Sequence, residues 1–147
     1  MIAFDTNILF PLVVSDHPAH DAVSEFIQAL DVRDDVALSE FALVELYGLL
    51  RQPAVMRRVL DAGSAAAVCT TLRKHPRWRL LGFPGDSSSV HRTLWEQAAR
   101  PGFSRRRIYD ARLALCLVAQ GVREFATVNV KDFAGLGFRR VFNPLAL

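Results

Sequence analysis

Ile108-Tyr109-Asp110-Ala111-Arg112-Leu113-Ala114-Leu115-Cys116-Leu117-Val118-Ala119 runs into Gln120-Gly121-Val122-Arg123 and then into Glu124-Phe125-Ala126-Thr127-Val128. The first part is apolar around nearly its whole circumference, the pattern of a helix buried inside a domain. Gly121 suits the C-terminal stop of that helix, because glycine enters the left-handed region without a Cβ penalty. Glu124 to Val128 then reads as a strand. A buried helix feeding a strand through a short stop is half of an α/β unit.

The same alternation extends outward in both directions. Met1 to Phe4 is a short apolar run that suits a buried strand. Ala19 to Leu30 carries helical spacing, with Val23, Phe26, Ile27 and Leu30 on one stripe. Ser39 is placed to N-cap a helix from Glu40 to Arg51, and Pro53 follows it. A further helix is expected from Val55 to Lys74, ending before Pro76. Trp78 to Phe83 reads as a strand. After Pro84-Gly85, Asp86 or a following serine caps a helix through Ala99. Arg139 to Phe142 reads as a last strand. Strands alternating with helices imply an α/β fold with a central parallel sheet flanked by helices on both faces. The loops around Pro84 and Pro101 fall inside this alternation, so residues 1–147 are expected to form a single domain.

Bulk properties narrow the function without naming it. A hydrophobic fraction of 51% supplies a real core. The net charge is +3, and of the 18 basic residues only Lys74 and Lys131 are lysines. A mildly basic, arginine-rich chain is compatible with a polyanionic partner. Cys69 and Cys116 stand alone in apolar stretches, with no spacing for zinc or a redox pair. The N-terminus lacks the basic region of a signal peptide, and no apolar run approaches the ~20 residues of a membrane span. A soluble, cytoplasmic protein with no membrane partner is expected.

Four acids stand where chemistry is plausible. Asp5 directly follows a buried strand, and ligand sites in parallel α/β sheets form at strand carboxyl ends. Its plain structural role would be to cap the turn through Thr6 and Asn7. Glu45 shares an i, i+4, i+8 row with Phe41 and Leu49, so it is expected to be sheltered. A sheltered carboxylate needs a partner, either a metal or one of the arginines. Asp110 opens the most apolar helix, where the helix dipole alone would favour an acid. Asp132 lies just beyond the Glu124 to Val128 strand and means little in isolation. Together the four acids would repel and raise one another's pKa unless a cation joined them. A hard ion such as Mg²⁺ or Mn²⁺ is the natural resolution for an all-oxygen set.

The local strings carry a resemblance. Phe4-Asp5-Thr6-Asn7-Ile8-Leu9 resembles the opening motif of the PIN-domain family, and Ser39 through Glu45 to Arg51 resembles its second. Tyr109-Asp110-Ala111-Arg112-Leu113-Ala114, then Gly121-Val122, then Thr127-Val128-Asn129-Val130-Lys131-Asp132-Phe133, are similar to its third and fourth. Order and spacing match along almost the whole chain. Size and build resemble the VapC toxins of bacterial toxin–antitoxin pairs.

The resemblance implies a Mg²⁺- or Mn²⁺-dependent ribonuclease. It implies Asp5, Glu45 and Asp110 as the core acids, with Asp5 and Asp110 as direct metal ligands. Thr6, Asn7, Thr127 and Asn129 would orient them by hydrogen bonds. Many members carry an acid where this chain has Asn129 and a second one three positions later, so Asp132 is the candidate fourth acid and metal ligand. The resemblance also implies a VapB-like antitoxin partner and a homodimer.

Other features have blander readings beside functional ones. Arg105-Arg106-Arg107, just before Asp110, could grip an RNA backbone, receive an antitoxin's acids, or simply be a solvated loop. His17 and His20 lack a metal-like spacing, and with Pro18 they read as a surface helix start. Gly135-Leu136-Gly137 has no lysine–serine pair after it and is no phosphate loop. A catalytically inactive PIN-like module that binds RNA or protein is the rival reading. A phosphatase with Asp5 as nucleophile is disfavoured, because Asn7 stands where that chemistry wants a second acid.

Overall fold

The computed structural model describes residues 1–146 and contains one sheet of five parallel strands in the order β3-β2-β1-β4-β5. The strands are β1 (Ile2–Phe4), β2 (Val36–Ser39), β3 (Arg79–Leu81), β4 (Glu124–Ala126) and β5 (Arg140–Phe142). The helices are α1 (Thr6–Val13), α2 (His20–Ala29), α3 (Glu40–Leu50), α4 (Ala62–Arg73), α5 (Ser87–Ala98), α6 (Arg107–Ala119) and α7 (Val130–Phe133).

Strand side chains alternate between two faces, and each face has its own core. Ile2, Phe4, Val36 and Leu38 pack with Ile8 and Leu9 of α1, Val23 of α2 and Leu46 of α3. Ala3, Ala37 and Phe125 point the other way and pack with Leu113 and Leu117 of α6 and Phe133 of α7. Ala3 and Ala37 supply small side chains to that second core. The expected parallel sheet with helices on both faces is therefore present.

Local signals explain most boundaries. The Ser39 hydroxyl accepts from the Phe41 amide at 3.1 Å and starts α3. Asp86 accepts from the Ser89 amide at 3.1 Å and starts α5. Gly121 ends α6 with φ of 93°. The structure corrects the helix expected from Val55 to Lys74. It begins only at Ala62, where Asp61 accepts from the Ser64 amide at 2.7 Å. Residues 55–60 instead form a loop that folds back, with the Leu60 amide donating to the Leu50 carbonyl at 3.0 Å.

Three elements carried no distinct sequence signal: α1, β2 and α7. The strands are also shorter than expected. β4 stops at Ala126, so that Thr127 is free to turn its side chain toward Asp5. Among the described residues, no helix is long and apolar enough to cross a membrane.

Candidate active site

The strand order places a topological switch at β1. The chain proceeds from β1 outward through β2 to β3, then returns to the other side of β1 as β4. In open parallel sheets the crevice beyond such a switch is the usual ligand site. Asp5 follows β1 and Thr127 follows β4, so both stand at its mouth. The Asp5 amide continues the ladder, donating to the Ala126 carbonyl at 2.9 Å.

Asp5 is buried and held by neutral donors. Its Oδ1 accepts from the Thr6 amide at 2.8 Å, which also caps α1. Its Oδ2 accepts from the Thr127 hydroxyl at 2.7 Å and from Asn7 Nδ2 at 3.0 Å. These partners are themselves tied down. Thr127 Oγ1 accepts from the Asn129 amide at 3.0 Å, and Asn7 Oδ1 accepts from the Val128 amide at 3.1 Å. Burial nevertheless raises the Asp5 pKa, against the lowering effect of these hydrogen bonds, and the charge of Asp132 adds to the rise.

Glu45 departs from the sheltered position expected for it. As a residue it is exposed, on the cleft-facing side of α3. Its carboxylate is still crowded by protein, because Oε2 accepts from the Thr6 hydroxyl at 3.1 Å. Partial burial, followed by the charge of Asp5, raises its pKa. No arginine pairs with it among the described residues.

Asp110 stands in the first turn of α6, as its position in the buried helix predicts. Partial burial pushes its pKa up to about 6, helped by the charges of Asp5, Asp132 and Glu45 and opposed weakly by Arg107. Asp5, Glu45 and Asp110 line one cleft of about 510 Å³, together with Asn7, Asn129 and the apolar Phe10, Leu49 and Val128. Asp132 is exposed in α7 and does not line that cleft. It acts on Asp5 and Asp110 through its charge alone.

The donor set has the chemistry of a hard-cation site. It offers carboxylate oxygens, and none of its acids is in an ion pair among the described residues. The side chains are not drawn together: among the described residues, no group of three or more His, Cys, Asp or Glu is arranged to hold a metal ion as it stands.

Arg105, Arg106 and Arg107 are exposed where the chain enters α6, and none is in an ion pair among the described residues. The histidines separate. His20 begins α2, and its Nδ1 lies 2.9 Å from the Pro11 carbonyl. His17 lies in the preceding turn with Pro18 and lines the cleft of the acids. Sequence reasoning missed His17, Val55 and Leu145 as cleft residues. No local pattern marks them, since each arrives from a loop or the chain end.

The chain is 46% identical over 145 residues to Ribonuclease VapC24 of Mycobacterium tuberculosis, covering 99% of this chain and 97% of the relative. It belongs to the VapC family of ribonucleases. No protein-family profile matches the chain. Solved VapC-type structures share the fold at low identity. The crystal structure of VapC20 from Mycobacterium tuberculosis, described as a Sarcin-Ricin loop cleaving toxin, superposes with a TM-score of 0.67 at 20% identity, covering 94% of this chain and 96% of that one. VapBC-1 from nontypeable Haemophilus influenzae gives a TM-score of 0.65 at 18% identity over 99% of this chain and 100% of that one. The fold is thus shared where most of the sequence differs.

Proposed function

We propose that this VapC-family chain is a single-domain, metal-dependent ribonuclease of the cytoplasm that acts as the toxin of a type II toxin–antitoxin pair. The observation that carries the reading is the cleft itself. Asp5, Glu45 and Asp110 face one space at the sheet's switch point, and no basic side chain pairs with any of them among the described residues. Asp5 and Asp110 would hold a Mg²⁺ or Mn²⁺ ion, with Glu45 closing the set and Asp132 adding outer charge. Such an ion supplies a deprotonated water as nucleophile and a counter-charge for the phosphoryl oxygens.

The residues around the acids have separate tasks. Thr6, Asn7 and Thr127 fix the Asp5 carboxylate and leave it no freedom to turn. The Asn129 amide holds Thr127 in place, while its side chain borders the cleft without charge. Arg105, Arg106 and Arg107 would grip the RNA backbone beside Asp110. Single-stranded or looped RNA is the expected substrate, since unstacked strands can reach such a cleft. Solved relatives named as VapBC assemblies support a VapB-like antitoxin partner, and a homodimer is proposed with it.

The test uses the purified full chain and a mixed pool of structured RNAs. Cleavage is expected with Mg²⁺ or Mn²⁺, lost with chelator and restored by added metal. RNA that stays intact in both metals, with the protein folded by circular dichroism, sinks the reading in favour of a binding module.

A further inference from the structure

We infer that the acid cleft continues into a second groove that carries the RNA strand away from the cutting point, with Arg57 and Arg58 holding its phosphates. The inference rests on the ribonuclease reading and assigns substrate contacts that the motifs do not mark.

The groove encloses about 200 Å³ and shares Phe10, His17 and Val55 with the cleft of the acids. It is therefore an extension of that cleft. Neither Asp110 nor Arg107 lines it, so it leaves the site by a different rim from the Arg105 to Arg107 segment. Arg57 and Arg58 line it, exposed and outside every ion pair among the described residues. Asp16 is the one acid that lines it, so the two arginines leave it net positive. A basic groove adjoining an acidic cleft suits a polyanion whose reacting phosphate sits over the acids and whose next phosphates need cations.

The wall suits a strand as well. The His17 ring stands edge-on to Phe10 at 5.8 Å. Its Nδ1 accepts from the Ala19 amide at 3.0 Å, which leaves the proton of a neutral ring on Nε2 as a donor. An aromatic pair beside two guanidinium groups offers both stacking and phosphate contact, which single-stranded RNA uses without sequence preference. The loop that presents the arginines is the segment where a helix was expected. A helix through residues 55–60 would have carried Arg57 and Arg58 along its own axis, whereas the turn at Gln52, with its carbonyl accepting from the Met56 amide at 3.0 Å, folds them beside His17.

The test compares the parent with R57A/R58A and with R57K/R58K on a single-stranded oligonucleotide that the parent cleaves, extended either 5′ or 3′ of the cleaved bond. R57A/R58A is expected to raise KM roughly tenfold with kcat retained. It should also flatten the slope of log(kcat/KM) against log salt by about 1.4, from ~0.7 for each lost single-strand phosphate contact. The loss should be confined to substrates extended on one side, and R57K/R58K should restore most of it, because charge is what the groove supplies. An unchanged KM and slope in R57A/R58A overturns the proposal while leaving the ribonuclease reading intact. An unchanged KM with lost inhibition by antitoxin assigns the arginines to the protein partner, and likewise overturns it. A parent that cleaves no RNA under any condition defeats the underlying reading instead.

Discussion

The two ends of this one sheet treat carboxylates in opposite ways. At the amino end, Asp35 precedes β2 and Glu124 opens β4, and both are neutralised. Arg33 bridges them at 2.7 Å and 2.9 Å, and the chain's amino group lies 3.4 Å from Asp35. Hydrogen bonding from Arg33 holds the Asp35 pKa down to about 2. At the carboxyl end, Asp5, Glu45 and Asp110 form no ion pair among the described residues, and the pKa of each is raised although Arg107 opposes the rise at Asp110. The chain carries sixteen arginines, and among the described residues none of their ion pairs is formed here. One end is neutralised within the chain, and the other keeps carboxylates that no basic side chain pairs among the described residues.

The contrast breaks most visibly if a carboxyl-end acid is neutralised. Asp5→Asn or Asp110→Asn should lower RNA cleavage on the order of a thousandfold while circular dichroism shows the protein still folded. An Asp110→Asn protein that cleaves RNA at the parent rate removes Asp110 from the site. A smaller break is expected one step out. Thr127→Val keeps the shape of the side chain and removes the shortest hydrogen bond to Asp5, so activity at limiting Mg²⁺ should fall by roughly 10–100-fold. Raised Mg²⁺ should recover much of that loss, because the carboxylate itself remains. Failure of excess metal to recover any activity would show that Thr127 serves something besides the orientation of Asp5.

How far this contrast could be read from the chain depends on what each residue needed. The α6–β4 segment was legible because the helix is apolar on all sides and Gly121 ends it. Ser39 and Asp86 were legible as caps because their chemistry is local. By contrast α1 holds Pro11, a residue that normally ends a helix, and is sustained by the Asp5 cap and the buried Ile8 and Leu9. β2 is only four residues long and follows two aspartates, so its burial is a tertiary fact. Of the acids, Glu45 shows the limit of periodicity. Its row is apolar, yet it lies where that row meets the open cleft. Asp5 and Thr127 are 122 positions apart and meet at 2.7 Å only because β4 returns beside β1. The amino-end network of Arg33, Asp35 and Glu124 depends on the same return and had no sequence signal at all.

The smallest expected effect is on stability, and there the two ends should respond to pH with opposite sign. Asp35 has a folded pKa below the unfolded value of 3.8, so its contribution is present above that value and is lost as pH falls from about 4 toward 2. Asp110 has a folded pKa near 6, above the unfolded 3.8. Between those values the folded state binds the more protons, so metal-free stability falls as pH rises from about 4 to about 6 and then levels. Asp35→Asn should therefore destabilise the protein at neutral pH by about 1 kcal/mol, a figure discounted for its partial exposure. Asp110→Asn should stabilise the metal-free protein at neutral pH by roughly 1–2 kcal/mol, discounted in the same way, and should have little effect near pH 4. Urea melts of both variants at pH 4 and pH 7 in chelator measure the pair. Added Mg²⁺ should stabilise the parent and leave Asp110→Asn almost unmoved, since binding to the folded state raises its stability only where a site exists. If Asp110→Asn instead destabilises the metal-free protein at pH 7, then Asp110 is a structural helix-start acid stabilised by the α6 dipole, and the distinction between the two ends of the sheet fails at that residue.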